Sequence, residues 1–493
     1  MNILKYTGHP FYDVGVATIT AFAHKRDPAE LTNQDLDEIA QYMQRNYCID
    51  PLKSFFTVAF PNSGYNNPAY NDQPEKRAAY CQHVLHAYET EDSGSLERCI
   101  FTGDAASSGR FDVDGRLSQG RCYRQHLPLL SGEDVINFSP YGEAGLPVSG
   151  KALLALQAMP LGCAKAGGRL LAVHASDPLV TLNFCQKFLG ENREKVLLAQ
   201  QGGTSKIEEE HLRARTLLID SFLRMTALSQ ARTRQSSPFS ISAYHFSNSG
   251  RGPSLDIYHI PLEITGFLQV AMSASFSPSW QALSRRGWEI TKTKKGQADA
   301  EAPRSNMLYE DLFRLPEEAP HFIRTYFLRR PIRTRWEGDP RGQYSVLGEA
   351  DLVSWKLTNL FLERVMGMEK ERIAKIKELG DTCVSYIMDQ GDRQFFSKFL
   401  LAKKYKDLRV LLIKASVSLM KAGKAPLVDF DGYIAVFEEG EDLFRSDWRL
   451  ARDLVLIRMV ERLYEQGWIQ QYRDTLPTEK EIDEPEKELK EEN

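Results

Sequence analysis

Between Pro340 and Pro426 the chain contains no proline, and almost every residue in between is a helix former. An unbroken stretch of this length without the residue that most disrupts helices leaves few alternatives to successive helices. Apolar positions recur with helical period in "VLGEADLVSWKLTNLFLERVMGMEKERIAKIKEL", "DTCVSYIMDQGDRQFFSKFLLAKKY" and "DLRVLLIKASVSLMKAG", and again after Pro426 in "DWRLARDLVLIRMVERLYEQGW". The connections are short, which predicts an antiparallel all-α bundle over 345–475. The following tail, 476–493, is acidic and poor in apolar residues, and is expected to stay disordered.

The first 340 residues read differently. Helical patterns occur over 10–45, where Thr32 and Asp35 have capping-box spacing, and over 206–232. "KSFFTVAF" reads as a short strand. Residues 61–74, "PNSGYNNPAYNDQP", form a polar and aromatic loop with Asn62, Asn66 and Asn67. Two β-rich runs in 239–264 flank Ser247-Asn248-Ser249-Gly250-Arg251-Gly252, the pattern of a hairpin with a glycine-permitted tip. The expected fold class is therefore an α+β N-terminal region, 1–340, followed by the helical bundle.

Within 97–174 lie two sequences shaped like zinc knuckles that lack the second cysteine: "CIFTG" from Cys99 and "CAKAGG" from Cys163. Thr102 and Ala166 stand where a second thiolate belongs, and neither is a competent zinc ligand. No metal and no cofactor is expected. An irregular site would have to gather Cys99 and Cys163 with Cys81 and Cys122. Seven scattered cysteines fit a reducing compartment, and the start of the chain has no signal-peptide pattern, so a cytoplasmic protein without membrane contact is expected.

The net charge of −4 argues against a generally basic nucleic-acid binder. Local patches reopen the question. Residues 321–341 hold Arg324, Arg329, Arg330, Arg333, Arg335 and Arg341 among Tyr326, Phe327 and Trp336. Residues 285–295 hold Arg285, Arg286, Lys292, Lys294 and Lys295 beside Trp288. Guanidinium groups interleaved with rings suit phosphate contact and stacking. The hairpin tip, with an amide, two hydroxyls and a guanidinium, suits a base edge or a phosphate. No phosphate-binding loop, zinc-protease helix or nucleophile elbow occurs. Asp112 and Asp114 in "RFDVDGR", with nearby histidines, leave open a metal-dependent nuclease or hydrolase; D-x-D-G is also a turn pattern. His245 and His259 read as structural. A purely structural scaffold is the third possibility.

Four blocks carry a resemblance: "YTGHPFYDVG" (6–15), "YRQHLPLLSG" (123–132), "NFSPYGEAGLPVSGKALLALQAMPLGCAKAGGRLLAVH" (137–174) and "YHFSNSGRGPSLDIYHIP" (244–261). Together they resemble the C-x-x-C…C-x-x-C family of large subunits of type I-B CRISPR Cascade, an RNA-guided antiviral DNA surveillance complex. The cysteine pairs map onto Cys99/Thr102 and Cys163/Ala166, each degenerate here. The resemblance implies a non-catalytic subunit that holds the 5′ end of a guide RNA (crRNA) together with backbone, handle-capping and small subunits. It also implies recognition of the short motif beside the target (the PAM) in double-stranded DNA, the start of strand opening, and recruitment of a helicase–nuclease. The candidate motif readers are Asn248, Ser249, Gly250, Arg251, Asn62, Asn66 and Asn67, and the two basic patches are candidates for phosphate. In such complexes a small helical subunit can arise by internal initiation, for which Met366 and Met368 are placed ahead of most of the bundle.

Overall fold

The computed structural model describes residues 3–61, 63–90, 96–115, 117–130, 144–230, 237–248, 252–290, 304–437, 447–478 and 481. Ser249, Gly250, Arg251, Asn62, Lys292, Lys294, Lys295 and nearly all of the acidic tail lie outside the described residues. The chain divides into two compact units, residues 1–225 with 237–262, and 226–236 with 263–493. Position 340 falls inside the second unit, where side chains bind across it: Arg329 to Glu349, and Lys356 to the Ser275 carbonyl. Among the described residues no helix is long and apolar enough to cross a membrane.

The first unit is mixed α/β around a buried helix. Helix α1 (Pro10–Phe22) starts with Pro10 in its first turn and His9 Nδ1 accepting from the Tyr12 amide. It is buried on every side from Phe11 to Ala21, as its almost uniformly apolar sequence requires. Its threonines, Thr18 and Thr20, satisfy their hydroxyls on the carbonyls one turn back. Around it pack α2 (Gly150–Ala158), capped by Ser149, and α3 (Pro178–Gln201), capped by Asp177. A four-stranded antiparallel sheet completes the unit: β1 (Ala164–Ala166), β2 (Arg169–Ala175), β3 (Ile241–Ser247) and β4 (Ser254–Ile260), in that order. The expected hairpin is β3–β4, in register from Ile241↔Ile260 to Ser247↔Ser254.

Two sequence expectations are corrected. "KSFFTVAF" is not a strand: residues Leu52–Thr57 are helical, because that bend stacks Phe56 on Phe60 (4.6 Å) and Tyr47 (4.2 Å) in the core. The helix expected from 206 begins only at Ala214 and runs to Gln230. The preceding segment is held away by the β1–β2 turn, where Glu209 accepts from the Gly168 amide (3.2 Å) and pairs with Lys165. The capping box at Thr32 and Asp35 is present, at the start of the helix Asn33–Asn46.

The second unit is mostly helical. Its C-terminal part contains α4 (Trp355–Arg364), α5 (Lys370–Gln390), α6 (Arg393–Leu401), α7 (Tyr405–Lys421) and α8 (Trp448–Glu465). Helix α8 is the central one and packs against α5. Gly391, with φ of 64°, ends α5 in the left-handed conformation that a side chain resists. Met366 and Met368 lie in the turn between α4 and α5, on either side of Gly367 (φ 60°), rather than inside one helix. A chain starting at Met368 would keep α5 to α8 whole.

Candidate nucleic-acid interface

The hairpin end meets the chain just ahead of the asparagine loop in the first unit. Asn248, immediately after β3, donates its amide to the Val58 carbonyl (2.8 Å), just ahead of the loop 61–67. Its own carbonyl accepts from Arg124 Nη2 at 3.5 Å. Asn248 is thus no exposed tip residue: it is fully buried, the anchor of the hairpin end. Tyr80 links the neighbouring elements, with Tyr65 5.1 Å away on one side and His126 5.9 Å away on the other.

Several buried polar groups of these segments have unspent hydrogen-bonding capacity, as do others elsewhere in the chain. Among the described residues, neither the oxygen nor the nitrogen of the Asn248 side-chain amide has a partner, and the same holds for Asn66. The Ser63 and Tyr65 hydroxyls and Arg124 Nε are also buried without partners. Leaving such a group unmet costs about 1–3 kcal/mol, so folded proteins rarely leave several together. Asn67 is different, since it caps the next turn through Ala69. Sequence reasoning picked out Asn66 and Asn248 but missed Ser63, Tyr65 and Arg124; Arg124 stands in one of the four resembling blocks.

His126 lies in this neighbourhood and is fully buried. Burial, opposed by Asp112 and the Phe111 carbonyl, lowers its pKa to about 4. An unfolded chain protonates it near 6.5, whereas the fold keeps it neutral until pH 4. Above pH 6.5 His126 therefore contributes no pH dependence; from 6.5 down to 4 the unfolded chain binds the extra proton and stability falls, by about 3 kcal/mol in all. His126→Gln should remove that part of the acid sensitivity. Melting curves of both proteins from pH 7 to 4 should converge as pH falls; parallel curves would contradict the assignment.

The basic patches come together in the second unit. The Ile290 amide bonds the Gly338 carbonyl (2.9 Å), and Tyr344 donates its hydroxyl to the Arg286 carbonyl (3.1 Å). Four of their eight arginines are nevertheless paired with acids rather than left free for phosphate. Arg329 is fully buried, bonded to Glu349 and 3.4 Å over the Tyr344 ring. Arg324 binds Asp453, and Arg341 binds Asp339 and Asp311. Burial alone would raise the Asp453 pKa, but Arg452 and Arg324 hold it below the usual carboxylate range. Arg286 binds Glu349. Arg330, half-buried, gives its backbone amide to the Arg324 carbonyl. Arg285, Arg333 and Arg335 are exposed, as is Trp336, and among the described residues Arg333 and Arg335 make no ion pair. The reason is charge balance: acids from 311, 339, 349 and 453 reach into the segment, which spacing alone does not reveal.

Both cysteine segments turn at glycines. Gly103 returns its amide to the Cys99 carbonyl (2.9 Å), and Gly167 and Gly168 turn the β1–β2 hairpin with φ of 56° and 78°. The thiols do not gather. Cys163 Sγ donates to the Met159 carbonyl, and burial, with Cys185 nearby, pushes its pKa well up. Burial, with Cys99 nearby, does the same for Cys122. His245 sits against the same hairpin, its Nε2 2.9 Å from the Ala166 carbonyl, and burial lowers its pKa. His259 faces the Ser242 hydroxyl at 3.2 Å.

Among the described residues, one group has the composition of a metal site: Glu210, His211 and Asp220, with ligand atoms within 4.8 Å of one another. It already holds a cation, for Arg224 reaches Glu210 at 2.7 Å and Asp220 at 2.8 Å. Asp112 accepts from the Leu117 amide, and Asp114 pairs with Lys76. No family model and no curated protein matches the chain.

Proposed function

We propose that the chain is the large subunit of an RNA-guided DNA surveillance complex of the type I-B CRISPR Cascade kind. The observation that carries this reading is that Asn248 and Arg124, from two of the four resembling blocks, bond to each other, that Asn248 also bonds Val58 ahead of the asparagine loop, and that the side-chain amides of Asn248 and Asn66 are buried without partners among the described residues. The resembling blocks also form one body: Phe11 of the first packs on Tyr244 and Phe246 of the last, and β2 of the third pairs with β3. In this reading Asn248 and Asn66 read the short motif, an asparagine amide being matched to the paired donor and acceptor of a base edge. Because Asn248 is enclosed, reading requires the hairpin end to lift from Val58 when duplex binds. Arg285, Arg333, Arg335 and Trp336 hold phosphate and stack, without sequence preference. Guide pairing supplies the rest of the specificity, and a helicase–nuclease the cleavage. Co-expression with a guide RNA and the partner subunits tests the assignment: the chain should co-purify with both in one particle. A chain that stays apart from guide RNA and subunits would overturn it.

A further inference from the structure

Helix α7 has two apolar faces, and among the described residues only one is covered. Leu408, Leu412, Ala415 and Leu419 are buried in the unit. On the opposite side stand Val410 (40% exposed), Ile413 (51%), Val417 (41%) and Met420 (55%), at successive spacings of three, four and three residues. That is one straight stripe about 15 Å long. Single exposed apolar residues are ordinary, but a continuous row marks a surface that another molecule covers.

The charges around the stripe identify the cover. At 100° per residue, Arg409 lies along one edge and Lys414 and Lys421 along the other, all exposed. Lys406, also exposed, stands at its N-terminal end, and Asp407 is the helix's only acid. The stripe itself carries no aromatic ring, whereas stacking on bases and seating in a lipid interface both draw on rings. Aliphatic side chains at helical spacing match another helix. We propose that this face of α7 docks an amphipathic helix of a partner protein whose own apolar stripe is bracketed by aspartate and glutamate. The attraction between the flanks sets partner choice, and the stripe supplies the buried area.

The test uses the full chain and a fluorescent synthetic helix with leucines at the same spacing and glutamates on both flanks. A second peptide carries lysines in place of the glutamates; anionic phosphatidylglycerol vesicles and duplex DNA are tested in parallel. The glutamate peptide should bind at least about tenfold more tightly than the lysine peptide. Ile413→Ser with Val417→Ser should weaken it about tenfold or more. Arg409→Glu with Lys414→Glu should reverse the preference between the two peptides, and this variant leaves the apolar residues intact should the serine variant melt early. Failure of the glutamate peptide to bind, or equal binding to wild type and both variants, would overturn the proposal. So would vesicle or DNA binding that these variants abolish while the peptide stays unbound.

Discussion

Glu349→Ala should destabilise the second unit by about 3–5 kcal/mol, the cost typical of stripping a buried ion of its partner. Arg329 has no exposed surface, and its Nε and Nη2 lie 3.0 and 2.8 Å from Glu349 Oε2. Its Nη1 is already without a partner, so the carboxylate carries most of the compensation. Arg329 also takes a φ of 59°, a left-handed backbone that a non-glycine residue adopts only where its surroundings hold it. Arg286 shares the same carboxylate, so both basic patches loosen together. In a thermal melt the loss should appear as a drop on the order of 10 °C for a unit of this size. Arg333→Ala, at an exposed and unpaired position, should leave the melt unchanged. An unshifted melt in Glu349→Ala would mean that Arg329 is not held as described. The consequence for function is direct: loss of nucleic-acid binding in an Arg329 variant would report unfolding, not a lost phosphate contact.

Gly15→Ala should disrupt the first unit comparably, by about 3 kcal/mol or more through overpacking. A Cβ at Gly15 would stand 2.0 Å from the Ala155 carbonyl oxygen, a backbone atom of α2 that cannot swing aside. Helix α1 would have to move off α2, and with it Phe11 from Tyr244 and Phe246 at the sheet. Gly190 is the control. It lies within α3 with nothing within 4 Å of its Cβ position, so Gly190→Ala should be neutral or stabilising by up to about 1 kcal/mol. Urea unfolding of the two variants gives the comparison. Equal stability of Gly15→Ala and wild type would refute the close approach of α1 and α2.

What the sequence made legible was local. The proline-free stretch, the capping box at Thr32 and the hairpin around 248 all follow from periodicity and turn chemistry, which act over a few residues. Non-local pairing was not legible. Six arginines in one segment read as a phosphate surface because nothing nearby says that Asp311, Glu349 and Asp453 fold back onto them. "KSFFTVAF" failed for a related reason: a short apolar run is ambiguous between strand and helix, and tertiary aromatic contacts decided it. For the site, Asn66 and Asn248 were found by residue type, but the burial of Asn248 against Val58 needed the fold.

The central claim is that Asn248 and Asn66 are kept for a nucleic-acid ligand and not for folding. Because neither side-chain amide has a partner among the described residues, their replacement by alanine removes an unmet polar group and should not lower stability. The direct measurement is duplex affinity of the assembled guide complex, with and without the cognate motif, across a salt series. Asn66→Ala with Asn248→Ala should melt no lower than wild type, yet lose about tenfold or more in affinity, on motif-bearing duplex alone. Arg333→Ala with Arg335→Ala should instead weaken both duplexes alike and flatten the salt dependence. A stable asparagine variant that binds motif-bearing duplex as tightly as wild type would contradict the account.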